Sequence, residues 1–418
     1  MPDIIEARGS HLGSRTSPAL ERSAFISLLL FAAALQVSIA AAQVLLGVTA
    51  LLWLALVISG RERIEVPGMF WPLVAYAGMT LVSTALSPDW RVSLRDDKQL
   101  LLYAIVPIAY RLLTGPSTLL GTGPRAMTVV ETVIAVGAIS AAIGVIQFGI
   151  LRFPEQLLRP RGVLSMYMTY SGQLMLIACL TAARLMFKKG DRMWPALVLP
   201  VLLAALVTTQ TRSAWIGTCV GIGLLFALRD LRLFAVVPVI AAAFFFFAPA
   251  QIADRLFSLV QLRDQYQQSV TSAASVQSNR DRIAMARSGM RMIRDYPLTG
   301  VGPDMVERMY PHYRDPQAVN QLNPHLHNVP LQIAAERGLP ALAIWLWFIV
   351  TLVRDFIRQR RRAGAVFLPT AALACVAAML SAGMFEHNFG DSEFLMLFLL
   401  LVTLPYAALR DAETEVRA

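Results

Sequence analysis

Apolar and polar segments alternate along nearly the whole chain, and the apolar segments are roughly 15 to 23 residues long. A helix needs about 20 predominantly apolar residues to cross a lipid bilayer, so these segments have the length of transmembrane helices. The pattern predicts an all-α polytopic membrane protein with about 12 transmembrane helices. They are placed at 23–42, 43–59, 69–86, 100–114, 127–149, 166–187, 193–209, 214–228, 233–248, 339–353, 365–385 and 393–409.

The start of the chain allows two interpretations. Polar residues 1–22 precede an apolar segment that ends at Ala40–Ala42, and this order is also typical of a cleaved signal peptide. A second apolar segment, Gln43–Ser59, follows at once. We therefore expect a transmembrane hairpin with an uncleaved start.

Composition excludes a soluble globular protein. The 418 residues are 56% hydrophobic and 15% charged, with a mean hydropathy of +0.57. Soluble domains carry about 25% charged residues. The three cysteines, Cys179, Cys219 and Cys375, lie in apolar segments without a CxxC pair, so we expect neither a disulfide framework nor a cysteine zinc site.

Lysine and arginine residues are distributed unequally between the two sides of the membrane. With both termini in the cytoplasm, cytoplasmic segments hold 20 of the 37 and short external loops hold seven. Short cytoplasmic loops retain positive charge, so this orientation is favoured. It divides the chain into a cytoplasmic tail (1–22), helices 1–9 (23–248), a long external loop (249–338), helices 10–12 (339–409) and a second cytoplasmic tail (410–418).

The long external loop holds the remaining ten arginines, against eight acidic residues. Within it we predict a helix at 279–295, capped by Asn279 and ended by Pro297 and Gly300. Arg282 lies on its apolar face, with Ile283, Met285, Ala286, Met290, Met292 and Ile293. The opposite face carries Arg280, Arg287, Arg291 and Arg294. These arginines either form a solvated surface or bind an anion such as phosphate, which the guanidinium group matches in shape.

A histidine motif closes the long loop. His327 and Asn328 precede a predicted short helix that has Pro330 in its first turn and ends at Gly338. A histidine here can act as a general base or simply belong to a helix cap at the membrane interface. A second pair, His387-Asn388, lies in the last external loop and is a competing candidate. The segment 300–302 lacks the rest of a phosphate-binding loop, so we expect a plain turn.

Together these motifs resemble the superfamily of bacterial O-antigen ligases and O-antigen polymerases. The HN-x9-G pattern at 327–338 is similar to the ligase signature, except that Ala341 stands where a second glycine is usual. The segments 278–282 and 295–302 resemble the long periplasmic loop of that superfamily. Gln210-Thr211-Arg212-Ser213 resembles its upstream arginine motif.

The resemblance implies a glycosyltransferase of the bacterial inner membrane whose active site faces the periplasm. Such an enzyme moves O-antigen polysaccharide from undecaprenyl pyrophosphate to lipid A–core oligosaccharide. His327 would then be the general base, and Asn328 would orient it or cap the helix. Arg212, Arg280 and Arg282 would hold the pyrophosphate, whose developing charge arginines can stabilise. The external loops contain no DxD-type cluster, so we expect metal-independent catalysis and no cofactor.

Two other functions remain open at this point. An O-antigen polymerase is the nearest, because Arg161 to Gly172 and Arg291 to Gly302 both show an Arg-x10-Gly spacing. A transporter of lipid-linked glycans is the other, but transporters place ionisable residues near the bilayer midplane. Glu131 is almost the only such candidate, and it lies near the end of a predicted helix.

Overall fold

The computed structural model describes residues 17–60, 63–117, 123–153, 158–235, 270–362 and 366–417. These residues are mostly helical, with 3₁₀ segments at Asp97–Ala104, Leu231–Ala235 and Asn388–Gly390 and a two-residue antiparallel strand pair, Pro116–Ser117 with Gly123–Pro124. The α-helices are α1 (Pro18–Ala34), α2 (Ile39–Gly60), α3 (Phe70–Ala85), α4 (Trp90–Asp96), α5 (Ile105–Leu112), α6 (Arg125–Gly149), α7 (Tyr167–Phe187), α8 (Met193–Thr208), α9 (Arg212–Arg229), α10 (Val270–Asp295), α11 (Val306–Tyr313), α12 (Val329–Arg360), α13 (Phe367–Gly383) and α14 (Ser392–Arg417).

Within the described residues, α2, α6, α7, α12 and α14 are long and apolar enough to cross a membrane. Helices α3, α8 and α13 are apolar but shorter, at 16 or 17 residues. The predicted class, a helical multi-pass membrane protein, is confirmed, whereas the count of twelve is not. The predicted span 100–114 is a 3₁₀ segment followed by the short α5, and most of the predicted span 233–248 lies outside the described residues.

The predicted helix boundaries are displaced in several places. The first hairpin turns at residues 35–38 rather than at 42–43, and α1 begins at Pro18, inside the predicted cytoplasmic tail. Helix α14 continues to Arg417 through the predicted second tail. Hydropathy marks the apolar part of a helix but not the polar turns that extend it, which explains these differences.

Helices α7, α9 and α13 form the tightly packed centre of the molecule. A Cβ atom added at Gly217 of α9 would lie 2.7 Å from the carbonyl oxygen of Ala378, and one added at Gly221 would lie 3.0 Å from that of Ala374. Small residues of this kind let two helix backbones approach closely in a membrane protein. The close packing fixes the N-terminus of α9 beside the loop that follows α13.

Residues 280–335 contribute to a second, smaller hydrophobic cluster outside this centre. Its buried members are Met285, Met292, Val301, Met305, Val306, Tyr310, Leu326 and Ala335. Helix α10 ends at Asp295 as predicted, but it begins at Val270, so Asn279 lies inside the helix and is not its cap. Ile283 and Met290 were predicted on the apolar face and are instead 56% and 64% exposed.

Helix α12 is kinked at Gly338, which has φ 80° and ψ 169°. The backbone N–H of Val301 donates to Ala335 O at 2.8 Å, and that of Gly302 donates to Glu336 O at 2.9 Å. The N–H of Leu339 in turn donates to Pro297 O at 2.8 Å. Segment 297–302 is therefore a turn that braces the kink.

Ion pairs in the described residues fall into two groups. One group joins residues that the charge pattern assigns to the cytoplasmic side, and the other joins residues assigned to the external side. The cytoplasmic pairs are Arg111–Glu21, Arg125–Glu21, Arg184–Glu131, Arg362–Glu413 and Arg410–Glu65; the external ones are Arg287–Asp315, Arg291–Asp315, Arg308–Asp89, His325–Glu386, His327–Glu386, Arg337–Asp96 and Arg337–Glu336.

Candidate functional site

His327 lies in a tight turn immediately before α12. Asn328 caps this helix, because its Oδ1 accepts the backbone N–H of Leu331 at 2.9 Å, while its Nδ2 donates to Met384 O at 3.0 Å. His327 has φ 50°, a conformation that is uncommon for residues other than glycine. Such strain persists only where surrounding contacts enforce it, and it concentrates at functional sites. Both groups of the Asn328 amide are used inside the protein, so Asn328 positions His327.

Glu386, in the loop after α13, contacts two histidines with one oxygen atom. Its Oε1 lies 3.0 Å from Nδ1 of His327 and 3.5 Å from Nε2 of His325. Burial raises the pKa of this carboxyl, but the hydrogen bonds from the two histidines outweigh burial and hold the pKa well below its usual value. Glu386 is therefore ionised and can only accept hydrogen bonds, so His327 donates through Nδ1 and its Nε2 keeps a lone pair.

His387, from the competing pair, lies in the same cluster. Its ring centroid is 5.8 Å from that of His325, and the rings of His325 and His327 are 4.2 Å apart. Burial, reinforced by electrostatic interactions with His325 and Arg337, lowers the pKa of His387 to about 3. His387 is thus a neutral and weakly basic side chain. The structure brings the two predicted His-Asn pairs into one site.

A buried polar chain supports the turn that carries His327. Gln332 accepts the backbone N–H of Leu326 at 2.7 Å and donates to Glu336 at 2.7 Å. Arg337 then bridges Glu336, at 2.6 Å, and Asp96, at 2.8 Å. Apart from Nε of Arg337, which is buried without a hydrogen-bond partner among the described residues, these side chains are linked by short hydrogen bonds, which are strong in a low-dielectric interior. The chain fixes the histidine turn against residue 96, at the end of α4.

A cavity of about 420 Å³ extends from the histidine cluster towards the N-terminus of α9. His325, Glu386 and His387 line it on one side, and Thr211 and Ser213 line it on another. Met166, Met168, Met175, Ala214 and Phe394 give it an apolar wall. The volume is within the range of pockets that bind small ligands, roughly 300–1,000 Å³.

Arg212 is the first residue of α9, between the two lining residues Thr211 and Ser213 and ahead of the apolar segment 214–228. Burial and the nearby positive charges of Arg282 and Arg159 lower the pKa of Arg212. The guanidinium groups of Arg282 and Arg159 are thus near enough to repel that of Arg212, and such a concentration of positive charge favours an anionic ligand. Arg280 is exposed, and the described contacts do not bring it to this cluster.

Two other arginines of α10, Arg287 and Arg291, have a structural partner. Asp315 is buried, and Arg291 lies 3.2 Å and Arg287 lies 3.8 Å from its carboxylate oxygens. The hydroxyl of Ser288 accepts the backbone N–H of Asp315 at 3.2 Å. These arginines hold the loop after α11 against α10. Arg291 and Gly302, which define one of the two Arg-x10-Gly spacings, thus both make contacts that support the fold.

Sequence reasoning missed three members of the site. Glu386 is 59 residues from His327. Its position beside the competing pair His387-Asn388 was the only sequence feature that could have indicated it. His325 lies two residues before His327, and the sequence analysis gave it no role. Arg159 was counted only as an external charge; its guanidinium lies 4.5 Å from the ring centroid of Tyr167.

A histidine–glutamate cluster and the residues that flank Arg212 thus border one cavity in a helical membrane protein, an arrangement suited to acid–base chemistry on an anionic substrate. Residues 196–346 match the sequence model of the family described as O-antigen ligase. The match supports the predicted resemblance to the O-antigen ligase and polymerase superfamily over this part of the chain. The matched segment contains all five predicted site residues, Arg212, Arg280, Arg282, His327 and Asn328, whereas Glu386 and Arg159 lie outside it. No curated protein matches the chain.

Proposed function

We propose that this protein is an O-antigen ligase. It would transfer O-antigen polysaccharide from undecaprenyl pyrophosphate to a sugar hydroxyl of lipid A–core oligosaccharide. The observation that carries the proposal is the cavity of about 420 Å³ that has the histidine–glutamate cluster on one side and the residues flanking Arg212 on another. The cavity thus lies between the glutamate that pairs with the proposed base His327 and the residues that flank Arg212, so that a base and an anion site, the two groups that this transfer requires, adjoin it.

His327 removes the proton from the acceptor hydroxyl through Nε2. The hydroxyl oxygen attacks the anomeric carbon of the donor sugar while the bond from that carbon to the pyrophosphate oxygen breaks. The proton stays on His327 until the product leaves, and the Glu386 carboxylate, 3.0 Å from Nδ1, stabilises the resulting imidazolium. His387 is a poorer base because its pKa is lowered to about 3.

Arg212 and Arg282 bind the pyrophosphate. Negative charge develops on the leaving group as the glycosidic bond breaks, and a guanidinium group can donate two parallel hydrogen bonds to phosphate oxygens. The repulsion that lowers the pKa of Arg212 is relieved when an anion enters between the arginines. Of Arg280 and Arg282, Arg282 is the better candidate, because its charge acts on Arg212, whereas Arg280 is exposed.

The location of the reaction follows from the same residues. Arg212, Arg282, His327 and Glu386 all belong to segments that the charge pattern assigns to the external side, and the grouping of ion pairs supports that assignment. We therefore propose that the active site faces the periplasm from the inner membrane. A transporter is disfavoured, because Glu131 is paired with Arg184 at 2.9 Å.

Transfer by the purified protein tests the chemistry. We expect the wild-type protein, supplied with an undecaprenyl-pyrophosphate-linked glycan and lipid A–core in excess EDTA, to form capped lipopolysaccharide. His327→Ala should lower the rate about 10²–10⁴-fold, which is the usual contribution of a general base. His387→Ala should have a much smaller effect, and His312→Ala, at an exposed position on α11, should have none. Activity that vanishes with EDTA and returns with Mg²⁺ would contradict the metal-free mechanism, and an active His327→Ala protein would contradict the choice of base.

Gene deletion distinguishes the ligase from the polymerase. Loss of every capped form of lipopolysaccharide, together with accumulation of lipid-linked polymer, is the result expected for a ligase. A cap of a single repeat unit would instead identify the protein as an O-antigen polymerase. Gel electrophoresis of lipopolysaccharide from the deletion strain separates these outcomes.

A further inference from the structure

His325, His327 and Glu386 present a compact set of metal-binding atoms. One ligand atom from each residue lies within 4.8 Å of the others, and Glu386 Oε1 is 3.0 Å from His327 Nδ1 and 3.5 Å from His325 Nε2. The ligand atoms of a tetrahedral zinc ion are roughly 3.3 Å apart, given bonds of about 2.0–2.1 Å. Small side-chain movements would therefore place all three atoms around one ion.

The donor set selects the kind of metal ion. Two imidazoles and one carboxylate suit Zn²⁺ and similar transition-metal ions, whereas Mg²⁺ and Ca²⁺ prefer oxygen ligands. The three side chains are 15–28% exposed, so the ligands are partly desolvated while one direction towards the cavity stays open. Nδ1 of the adjacent His387 is also buried and has no hydrogen-bond partner among the described residues.

We propose that His325, His327 and Glu386 form a binding site for Zn²⁺ and that occupation of this site switches the transferase off. A neutral imidazole carries one ring proton. A zinc ion bound to Nδ1 of His327 moves that proton to Nε2, the atom that must accept the proton of the acceptor hydroxyl. The bound ion also occupies the Glu386 oxygen that stabilises the imidazolium. The inhibitory effect rests on the proposed base function of His327, whereas the binding site itself does not.

Calorimetry and Co²⁺ spectroscopy test the site without any enzymatic assay. Wild-type protein in detergent, without a polyhistidine tag and stripped with EDTA, is titrated with ZnCl₂, and in parallel with CoCl₂ to observe the absorption bands of four-coordinate Co²⁺. We expect one ion per chain and no comparable binding of Mg²⁺. His325→Ala should weaken binding at least about 100-fold, since loss of an outer-shell partner alone costs 10–100-fold. His312→Ala and Cys219→Ser remove an exposed histidine and an exposed thiol and should bind as wild type does.

Glycan transfer then tests the inhibition. Zn²⁺ at saturating concentration should abolish transfer by the wild-type protein, and EDTA should restore it. The same Zn²⁺ concentration should leave the transfer rate of His325→Ala close to the rate of that variant without metal. Absence of stoichiometric binding, or unchanged binding by His325→Ala, would overturn the site. Zinc binding without loss of transfer would overturn the inhibition alone, and an inactive EDTA-treated wild type would count against the proposed function instead.

Discussion

Individual residues in this site differ in how much of their function the sequence could show. His327 and Asn328 are adjacent, and the helix signals that follow them are local, so their positions before a helix were predictable. The pairing of His327 with Glu386 depends on the packing of α12 against α13, which brings together residues 59 positions apart. Periodicity and hydropathy carry no information about such a contact. The strained turn, with φ 50° at His327, is likewise fixed by tertiary contacts.

The arginine cluster gives a residue-level prediction. Arg212→Lys keeps the positive charge but loses the planar fork that donates to two phosphate oxygens. We expect this variant to transfer glycan at least about 10-fold more slowly, in line with the roughly 1.5–3 kcal/mol of a hydrogen bond to a charged group. Arg294→Lys is the matched control, because Arg294 is exposed on α10. Full activity of Arg212→Lys in the reconstituted assay would show that Arg212 contributes only charge.

At the scale of elements, the kink in α12 connects the membrane to the site. The sequence predicted that a short helix ends at Gly338; the structure shows a short helical segment before Gly338 and a longer one after it, within one kinked element. The partner of the kink, segment 297–302, lies more than 30 residues earlier in the chain. Its carbonyl oxygen at Leu298 and the backbone of Gly338 are in such close contact that no side chain fits between them. Only the glycine, and not its partner, could be inferred from sequence.

The kink therefore predicts a large difference between two glycine substitutions. Gly338→Ala forces a Cβ atom against Leu298 O at a residue with φ 80°, and strain of this kind amounts to about 1–3 kcal/mol. We expect a lower Tm in detergent and a lower transfer rate, because the histidine turn is anchored on this segment. Gly47→Ala on α2 should leave Tm unchanged or raise it, since nothing lies within 4 Å of the added methyl group. Equal Tm values for the two variants would refute the importance of the kink.

For the whole molecule, charge and hydropathy carry different information. Hydropathy suggested twelve spans, yet the described residues contain five helices of sufficient length and three shorter apolar ones. A minimum length for membrane-spanning helices excludes helices such as α13. This helix has 17 residues, is mostly buried against its neighbours and contacts little lipid. The charge pattern predicts a side for each polar segment, and the ion pairs described above are consistent with it, although Arg184 and Glu131 pair within predicted helices near their cytoplasmic ends. The external group contains the candidate site.

That grouping leads to a prediction of membrane topology. Helices packed in a bilayer keep cytoplasmic and external loops about 30 Å apart, so a reagent that cannot cross the membrane reaches one group only. The background variant carries Cys219→Ser, because Cys219 is the exposed cysteine, whereas Cys179 and Cys375 are buried. Gln317→Cys and Glu307→Cys, both at exposed external positions, should react with an impermeant maleimide in intact spheroplasts. Lys189→Cys and Arg361→Cys, at exposed cytoplasmic positions, should react only after the membrane is permeabilised. Reversed labelling of both pairs would place His327 and Glu386 in the cytoplasm and exclude a periplasmic transferase. Reversal of one pair alone would place both groups on the same side of the membrane, and the number of spans between them would then have to be even.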